Sequence, residues 1–296
     1  MPPASLSQIS EPTKRPLLCL EVNPPRGTNI ASIFERLDNA VEGIDFFNVT
    51  DSALAKMKLA ALPFASILKN RYGIEPMVNV SCRDRNMIAL QSDLLAGWAM
   101  GVRSIIALTG DAMSVGDTPE GKAVFEVNSV GLLGVVNQLN SGRDMTGFEL
   151  KGKTDYVAGV VVNPNAKNGG AEIRRLQKKK DAGARYALSQ PVFDEETSIS
   201  FFKEAASVGV PIFMGLLPLK TAKGARAIHK IPGLRLPEKL LAEIEGKGEE
   251  DLSSFFIDRC LHLADANKSY VCGFHVVSGA YPTLAIALAR ELAKTI

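Results

Sequence analysis

The chain has 296 residues, of which 46% are hydrophobic and 22% are charged, and this balance is typical of a soluble globular protein. A net charge of +2, without a basic stripe interleaved with aromatic residues, argues against nucleic-acid binding. No apolar run reaches the roughly 18 residues of a membrane span, so we expect no membrane association. Residues 1–15 are polar and contain prolines, which predicts a flexible N-terminal tail and not a signal peptide.

Short apolar runs alternate with amphipathic segments along the rest of the chain. The predicted strands are 16–22, 44–50, 76–82, 103–109, 156–163, 184–190, 210–217 and 269–277. The predicted helices are 29–42, 53–72, 86–101, 127–140, 168–183, 195–208, 221–229 and 282–295. Eight such repeats predict an α/β fold with a single (β/α)8 TIM barrel over 16–296. An open doubly wound sheet is the alternative, but no GxGxxG motif follows the first strand.

Two regions interrupt this alternation. Residues 110–126 form a long loop after the fourth strand. Residues 231–268 contain two extra helical segments, separated at Gly246-Lys247-Gly248, before the last strand. Long insertions of this kind are usually functional loops or additional packing elements.

The cysteines have no CxxC spacing, and three of the four lie in apolar strand-like or helical segments. We therefore interpret them as buried, reduced thiols of a cytoplasmic protein, with disulfides or a metal site as the alternatives. They are Cys19, Cys82, Cys260 and Cys272.

Glu21 ends the first apolar run and is followed by Val22, Asn23 and the pair Pro24-Pro25. Because burying an unpaired charge is costly and prolines end a strand, this carboxyl should lie at the carboxyl end of the strand, at the rim of a cleft. A salt-bridged glutamate without a catalytic role is the alternative.

Active sites of TIM barrels lie at the carboxyl ends of the strands, so the residues there are the first candidates for function. At least six predicted strands end in polar side chains. No Ser-His-Asp set is apparent, and the three histidines are too scattered for a metal site. His275 lies in the last strand and could reach the pocket, although a core or rim histidine is the alternative.

Several strand-end motifs together resemble the methylenetetrahydrofolate reductase family, which are flavin-dependent barrel enzymes. The resemblance runs from about residue 16 to the C-terminus. Within the family, the chain is similar to the short bacterial reductases and to the reductase half of homocysteine methyltransferase fusions. The motifs are Glu21…Pro24-Pro25, Val80 to Asn86, Leu108-Thr109-Gly110-Asp111, Lys180 to Ala184, Gln190 to Asp194 and Gly215-Leu216-Leu217-Pro218.

The resemblance implies a reduction of 5,10-methylenetetrahydrofolate to 5-methyltetrahydrofolate with electrons from NADH or NADPH, a step toward methionine biosynthesis. It implies that Glu21 is the general acid that protonates N10 and opens the five-membered ring. Asp111 would lie beside the flavin and the pterin, and Gln190 would contact nicotinamide and folate. The alternatives are an Asx-type turn for Asp111 and backbone pairing for Gln190.

The resemblance also implies flavin contacts. They are Thr50, Asn79, Thr109, Gly110, Asp111, Asn163 and Lys179. Without the resemblance, the run Lys178-Lys179-Lys180, together with Arg174-Arg175, is more typical of a solvated helix face. The family often has His, Arg and Tyr at Asn79, Thr109 and Asn163, and an arginine near Tyr281. These differences weaken the prediction of FAD, and FMN or no tightly held flavin are the alternatives.

Two other functions stay open at this point. One is a reductase subunit that receives electrons from a companion protein, and the other is a folate-binding barrel that transfers a one-carbon group without redox chemistry. We expect a homo-oligomer, and the sequence contains no obvious iron–sulfur or zinc ligands.

Overall fold

The computed structural model describes residues 5–11, 15–38, 40–231 and 233–295, and within them eight parallel strands close into a barrel in the order β1 to β8. Each strand pairs with its sequence neighbour, and β8 pairs with β1. The predicted (β/α)8 barrel is confirmed. The strands are Leu17–Val22, Phe46–Val49, Glu75–Ser81, Ser104–Leu108, Val157–Val162, Tyr186–Pro191, Ile212–Leu216 and Gly273–Val276.

Helices follow the strands and cover the outside of the barrel. They are α1 Ala31–Leu37, α2 Ala61–Tyr72, α3 Met87–Ala99, α4 Ser129–Asn140, α5 Gly169–Asp181, α6 Glu195–Ala205, α7 Ala222–His229, α8 Glu238–Glu243, α9 Glu249–Asn267 and α10 Pro282–Thr295. Helices α8 and α9 are the two predicted segments of the 231–268 insertion. The loop after β4 contains one short 3₁₀ turn, Met113–Val115.

Side chains alternate between the two faces of each strand, as parallel strands buried on both sides require. In β1, Leu18 and Leu20 pack outward against the helices, whereas Leu17 and Cys19 join an interior cluster. A 3₁₀ helix, Leu6–Ser10, lies within the predicted tail, and its Ile9 is buried in the interior cluster. The division into a tail and a barrel domain stays a prediction.

The predicted helix 53–72 is wrong over its first turns, because α2 begins only at Ala61. Ser52, Leu54 and Ala55 have positive φ angles, a conformation that residues other than glycine rarely adopt. Asp111 and Asp117 hold this segment in place, since their carboxylates accept hydrogen bonds from the backbone N–H groups of Leu54 and Met57. Tertiary hydrogen bonds therefore replace the predicted helix.

The four cysteines are all free, and three are fully buried while Cys272 is partly buried. No helix in the described ranges is both long and apolar enough to cross a membrane.

Candidate active site

Glu21 lies at the carboxyl end of β1 on the face that points into the barrel, in register with Asn48 of β2. Its Oε1 accepts four hydrogen bonds. They come from Asn23 Nδ2 at 3.1 Å, Ser278 N at 3.1 Å, Ser278 Oγ at 2.8 Å and Gly279 N at 3.2 Å. Oε2 accepts no hydrogen bond from any residue that the structure describes. No cation pairs with this carboxyl in the described chain, so the alternative of a salt-bridged glutamate is not supported.

The environment of Glu21 favours the protonated carboxyl. Burial raises the pKa of Glu21 above its ordinary value, and the hydrogen bonds to Oε1 oppose this rise without cancelling it. Because every donor is directed at Oε1, a proton on this group would lie on Oε2. A neutral carboxylic acid with an unoccupied O–H is suited to donate a proton to a ligand.

Asn23 and Ser278 hold Glu21 in place, and neither was among the sequence candidates. Asn23 Nδ2 also donates to Ser278 Oγ at 2.7 Å, and Asn23 Oδ1 accepts from Thr50 Oγ1 at 2.6 Å. The buried Thr50, predicted as a flavin contact, is thus part of the support of Glu21. Position 23 between a strand-end acid and two prolines is the signal that could have identified Asn23.

A cavity of about 210 Å³ adjoins Glu21. Its walls are largely apolar and include Pro24, Pro25 and Ile286. Arg36 and Lys58 also line it, and neither has an ion-pair partner in the described chain. The cavity therefore combines an acid, apolar walls and two available cations, which suits an aromatic ligand that carries an anionic group.

Four of the predicted site residues meet around a second cavity of about 240 Å³ at the ends of β4, β5 and β6. They are Thr109, Asn163, Lys179 and Gln190. Ser129, Glu172 and Gly233 line the same cavity, so the insertion after β7 contributes to its wall. Thr109 Oγ1 accepts from Ser129 N at 3.2 Å, which joins the β4 loop to the start of α4.

Lys179 points inward from α5 and is not part of a solvated helix face. Its Nζ donates to the carbonyl oxygen of Val161 at 2.6 Å. Burial lowers the pKa of Lys179, and the nearby Glu172 carboxylate partly offsets this effect. Glu172 in turn accepts from Asn163 N at 3.1 Å. The lysine is thus close to the cavity but already engaged with the protein backbone.

Gln190 lies where β6 departs from regular pairing with β7, since the register shifts between Leu188 and Pro191. Such bulges re-aim side chains and are common beside active sites. Gly215 faces the bulge, and a Cβ there would lie 2.5 Å from the carbonyl oxygen of Ser189. The Gln190 side chain hydrogen-bonds to no described residue, so backbone pairing, the alternative role, is not observed.

Asp111 is exposed on the loop after β4, and its Oδ2 accepts from Leu54 N at 2.8 Å. The preceding Gly110 has a φ of +101°, and a Cβ there would lie within 2.9 Å of Arg83 Cβ. A side chain at position 110 would therefore displace the neighbouring loop. Neither residue lines one of the two cavities, although both lie at the same end of the barrel as Glu21.

Asn79 points into the barrel, where its Oδ1 accepts from Asn48 Nδ2 at 2.8 Å. It therefore belongs to an interior amide pair at the mouth and not to the wall of either cavity. Its prediction as a flavin contact stays untested.

The motif from Cys82 to Asn86 has a supporting role in this structure. Arg85 Nη1 donates to Asp51 Oδ2 at 2.6 Å, and Asp51 Oδ2 also accepts from Ser81 N at 2.9 Å. Arg85 Nε reaches Asp93 of α3 at 2.8 Å. Because Asp51 and Arg85 are largely buried, this network fixes the ends of β2 and β3 to each other at the mouth.

The structure places three parts at the carboxyl ends of its strands, namely a supported acid, an amide at a bulge and a cavity lined by hydroxyl, amide and ammonium groups. This arrangement is that of a (β/α)8 barrel with a candidate ligand site at its mouth. No group of three metal-ligating side chains occurs among the residues that the structure describes.

Comparison with known proteins identifies the family. The family model described as methylenetetrahydrofolate reductase matches residues 5–278, and the chain belongs to this family. It is 25% identical over 261 residues to "Probable methylenetetrahydrofolate reductase (NADPH)" of Caenorhabditis elegans, covering 84% of this chain and 38% of that protein. It is 29% identical over 181 residues to "5,10-methylenetetrahydrofolate reductase" of Salmonella typhimurium, covering 60% of this chain and 56% of that protein.

A third relative is "Methylenetetrahydrofolate reductase (NADH) 1" of Arabidopsis thaliana, which is 25% identical over 244 residues, or 78% of this chain and 40% of that protein. The matches thus span between 38% and 56% of the length of these three relatives. The family resemblance seen in the strand-end motifs is confirmed. Its narrower form, the short bacterial type, stays a prediction.

Proposed function

We propose that this chain catalyses the reduction of 5,10-methylenetetrahydrofolate to 5-methyltetrahydrofolate, with electrons from NADH or NADPH. The observation that carries the proposal is the Glu21 carboxyl, held by four donors on Oε1 with Oε2 unoccupied at the mouth of the barrel. Family membership and the names of the relatives support the same reaction.

The reaction needs one proton and one hydride at different atoms. The proton goes to N10, whose bond to the methylene carbon breaks, and leaves a cationic iminium at N5. Glu21 supplies this proton from Oε2, and Asn23, Ser278 and Gly279 stabilise the resulting carboxylate through Oε1. The hydride then reduces the iminium carbon to the methyl group.

A flavin bound here would supply that hydride. The residues around the second cavity fit such a group in their chemistry, because Thr109, Asn163 and Gln190 offer polar atoms for a ring edge and Lys179 offers a cation for a phosphate. A cavity of about 240 Å³ is smaller than the roughly 300–1,000 Å³ of common ligand pockets, so a complete dinucleotide would extend beyond it. The proposal covers both FAD and FMN as the flavin.

The decisive experiment is anaerobic spectroscopy of the purified protein. We expect a flavin absorbance that NADH or NADPH bleaches and that 5,10-methylenetetrahydrofolate then restores. A protein bleached only by an artificial donor, and by nicotinamide after a companion is added, would favour the subunit alternative. A protein that binds folate without any redox change would favour one-carbon transfer without reduction.

Lys179→Met tests the cofactor site. We expect about 10- to 100-fold weaker flavin binding, since a charge-assisted hydrogen bond to a phosphate contributes roughly 1.5–3 kcal/mol. Lys178→Met is the matched control, because Lys178 is exposed on the same helix. Flavin titration of both apoproteins is the measurement, and equal affinities would remove Lys179 from the site.

The pH dependence follows from the direction of the Glu21 shift. An acid must be protonated to act, so the folate half-reaction should fall about tenfold per pH unit above the raised pKa of Glu21. Reduction of the cofactor by nicotinamide does not use this proton and should show no such decline. Stopped-flow measurement of the two half-reactions across pH tests this, and parallel profiles would contradict it.

The remaining assignments follow from this function and stay predictions. They are a cytoplasmic location, a place in methionine biosynthesis, and a homo-oligomer or a companion subunit. Ile88 and Phe148 are strongly exposed apolar side chains, at 74% and 69%, and are suitable positions for probing an interface.

A further inference from the structure

The cavity beside Glu21 reaches from the mouth of the barrel into the groove between α1 and α10. Leu20 and Val22, which pack outward from β1, line it together with the inward-facing Glu21. Ile33 of α1 and Ile286 of α10 contribute to the same lining. A ligand in this one cavity can therefore contact both the acid and the apolar groove between the two helices.

The loop after β2 presents one particular lysine, Lys58, to this cavity. The next residue, Leu59, donates from its backbone N to the carbonyl oxygen of Pro25 at 2.8 Å, which fixes this segment against the loop after β1. Lys58 is half-buried and lines the cavity, whereas Lys56 of the same segment is exposed and does not line it. The fold thus directs one of two neighbouring cations at the cavity.

The charged groups around the cavity favour an anion. Arg36 of α1 supplies a second cation, and neither Arg36 nor Lys58 is paired with any residue that the structure describes. Ser32 lies one helical turn before Arg36 and adds a hydroxyl to the same wall. Glu21 is the sole acidic residue among the described residues of the lining, and burial raises its pKa. The cavity therefore carries positive charge beside apolar walls.

The two cavities lie on different sides of the barrel mouth. The second cavity is at the ends of β4, β5 and β6, and the closed order of eight strands places β5 opposite β1. A folate that reacts at a group in the second cavity and presents N10 to Glu21 would have the rest of the molecule directed at the first cavity. Beyond N10, a folate consists of a benzoyl ring and then of glutamyl residues that carry carboxylates.

We propose that the cavity between α1 and α10 binds the glutamyl tail of the folate, and that Lys58 and Arg36 are specificity-determining residues that pair with its carboxylates. The identity of this ligand rests on the proposed function. The benzoyl ring and the methylene groups of the tail pack on the apolar walls, and the two cations bind the charged ends. Each further glutamyl residue adds a carboxylate, so affinity rises with the length of the tail.

Isothermal titration calorimetry with the monoglutamate and triglutamate forms of 5-methyltetrahydrofolate tests this site without turnover. We expect the wild type to bind the triglutamate about tenfold more tightly, because partly exposed ion pairs each contribute up to about 1 kcal/mol. The double variant Arg36→Met/Lys58→Met should bind both forms almost equally. Added salt should reduce the wild-type preference, since exposed charges are screened.

Lys56→Met is the matched control, because it removes the same charge from the same segment outside the cavity. It should keep the wild-type preference for the triglutamate. Equal binding of the two forms by the wild type would overturn the proposal, and so would a preference that the double variant retains.

Titration with NADPH separates a carboxylate ligand from a phosphate ligand. If the double variant weakens NADPH binding but keeps the preference for the triglutamate, the two cations serve a phosphate and the proposal is overturned. The site and the proposed function can also fail independently. A wild type that prefers the triglutamate but does not reduce 5,10-methylenetetrahydrofolate would keep the site and end the proposed function. Reduction without any preference for the longer tail would do the reverse.

Discussion

Glu21→Gln is expected to slow the reduction of 5,10-methylenetetrahydrofolate by about 10²–10⁴-fold, the usual contribution of a positioned general acid. The amide retains the shape of the side chain and an oxygen for the four donors, but it cannot supply a proton. Reduction of the cofactor by nicotinamide should keep its wild-type rate, because that step needs no acid. Single-turnover kinetics of the two half-reactions measure both effects.

Stability provides the control for this variant. Because burial raises the pKa of Glu21, the folded protein binds this proton more tightly than the unfolded chain does. The contribution of Glu21 to stability therefore declines as the pH rises from its ordinary value of about 4.3 through the raised pKa. Glutamine does not titrate, so Glu21→Gln should be at least as stable as the wild type above that pKa.

Glu75→Gln is the matched comparison, since Glu75 lies at the other end of the barrel and pairs with Lys69. It should reduce stability without reducing either half-reaction of the folded protein. If Glu21→Gln instead slows both half-reactions equally, Glu21 is structural and the proposed function loses its central support.

Asp51→Ala is expected to lower the free energy of unfolding by about 3–5 kcal/mol, because it leaves the buried Arg85 guanidinium without its main partner. Ser81 N would lose its acceptor in the same variant. Since this network joins the ends of β2 and β3 at the mouth, binding of ligands should weaken as well. Urea unfolding and calorimetry measure the two effects.

Asp38→Ala is the control, because Asp38 pairs with Arg71 at 2.7 Å, close to the 2.6 Å of the Asp51–Arg85 pair, but on the exposed surface. Surface pairs contribute little, so this variant should unfold almost as the wild type does. If both variants lost the same free energy of unfolding, burial would not be what determines how much the Asp51 network contributes to stability.

The fold was predictable because the alternation of apolar runs with amphipathic segments is a local property of the sequence. The place of Glu21 was predictable for the same reason, as an acid at a strand end before two prolines. Ser278 was not, since it meets Glu21 only because β8 closes the barrel against β1. Asp51 and Arg85 likewise join through tertiary contacts that no local pattern signals.

Other differences between sequence and structure arise where tertiary bonds override local preference. The segment 53–60 is typical of a helix, but Asp111 and Asp117 hold its backbone in a different conformation. Lys179 belongs to a basic run, yet its ammonium group turns inward to a strand carbonyl. Gln190 was identified, whereas the bulge that directs it was not, because the bulge depends on contact with Gly215.

The unequal use of the two Glu21 oxygens has a stereochemical consequence. One oxygen is anchored by Asn23 and by Ser278 and Gly279 of the loop after β8, so a proton on this acid would leave from the other oxygen. If the proposed function holds, a folate would turn the edge that bears N10 toward that oxygen, and the place of the electron donor relative to this edge would decide which face of the ring receives the hydride. A difference between two atoms of one side chain would then help to determine the handedness of the product's labelled methyl group.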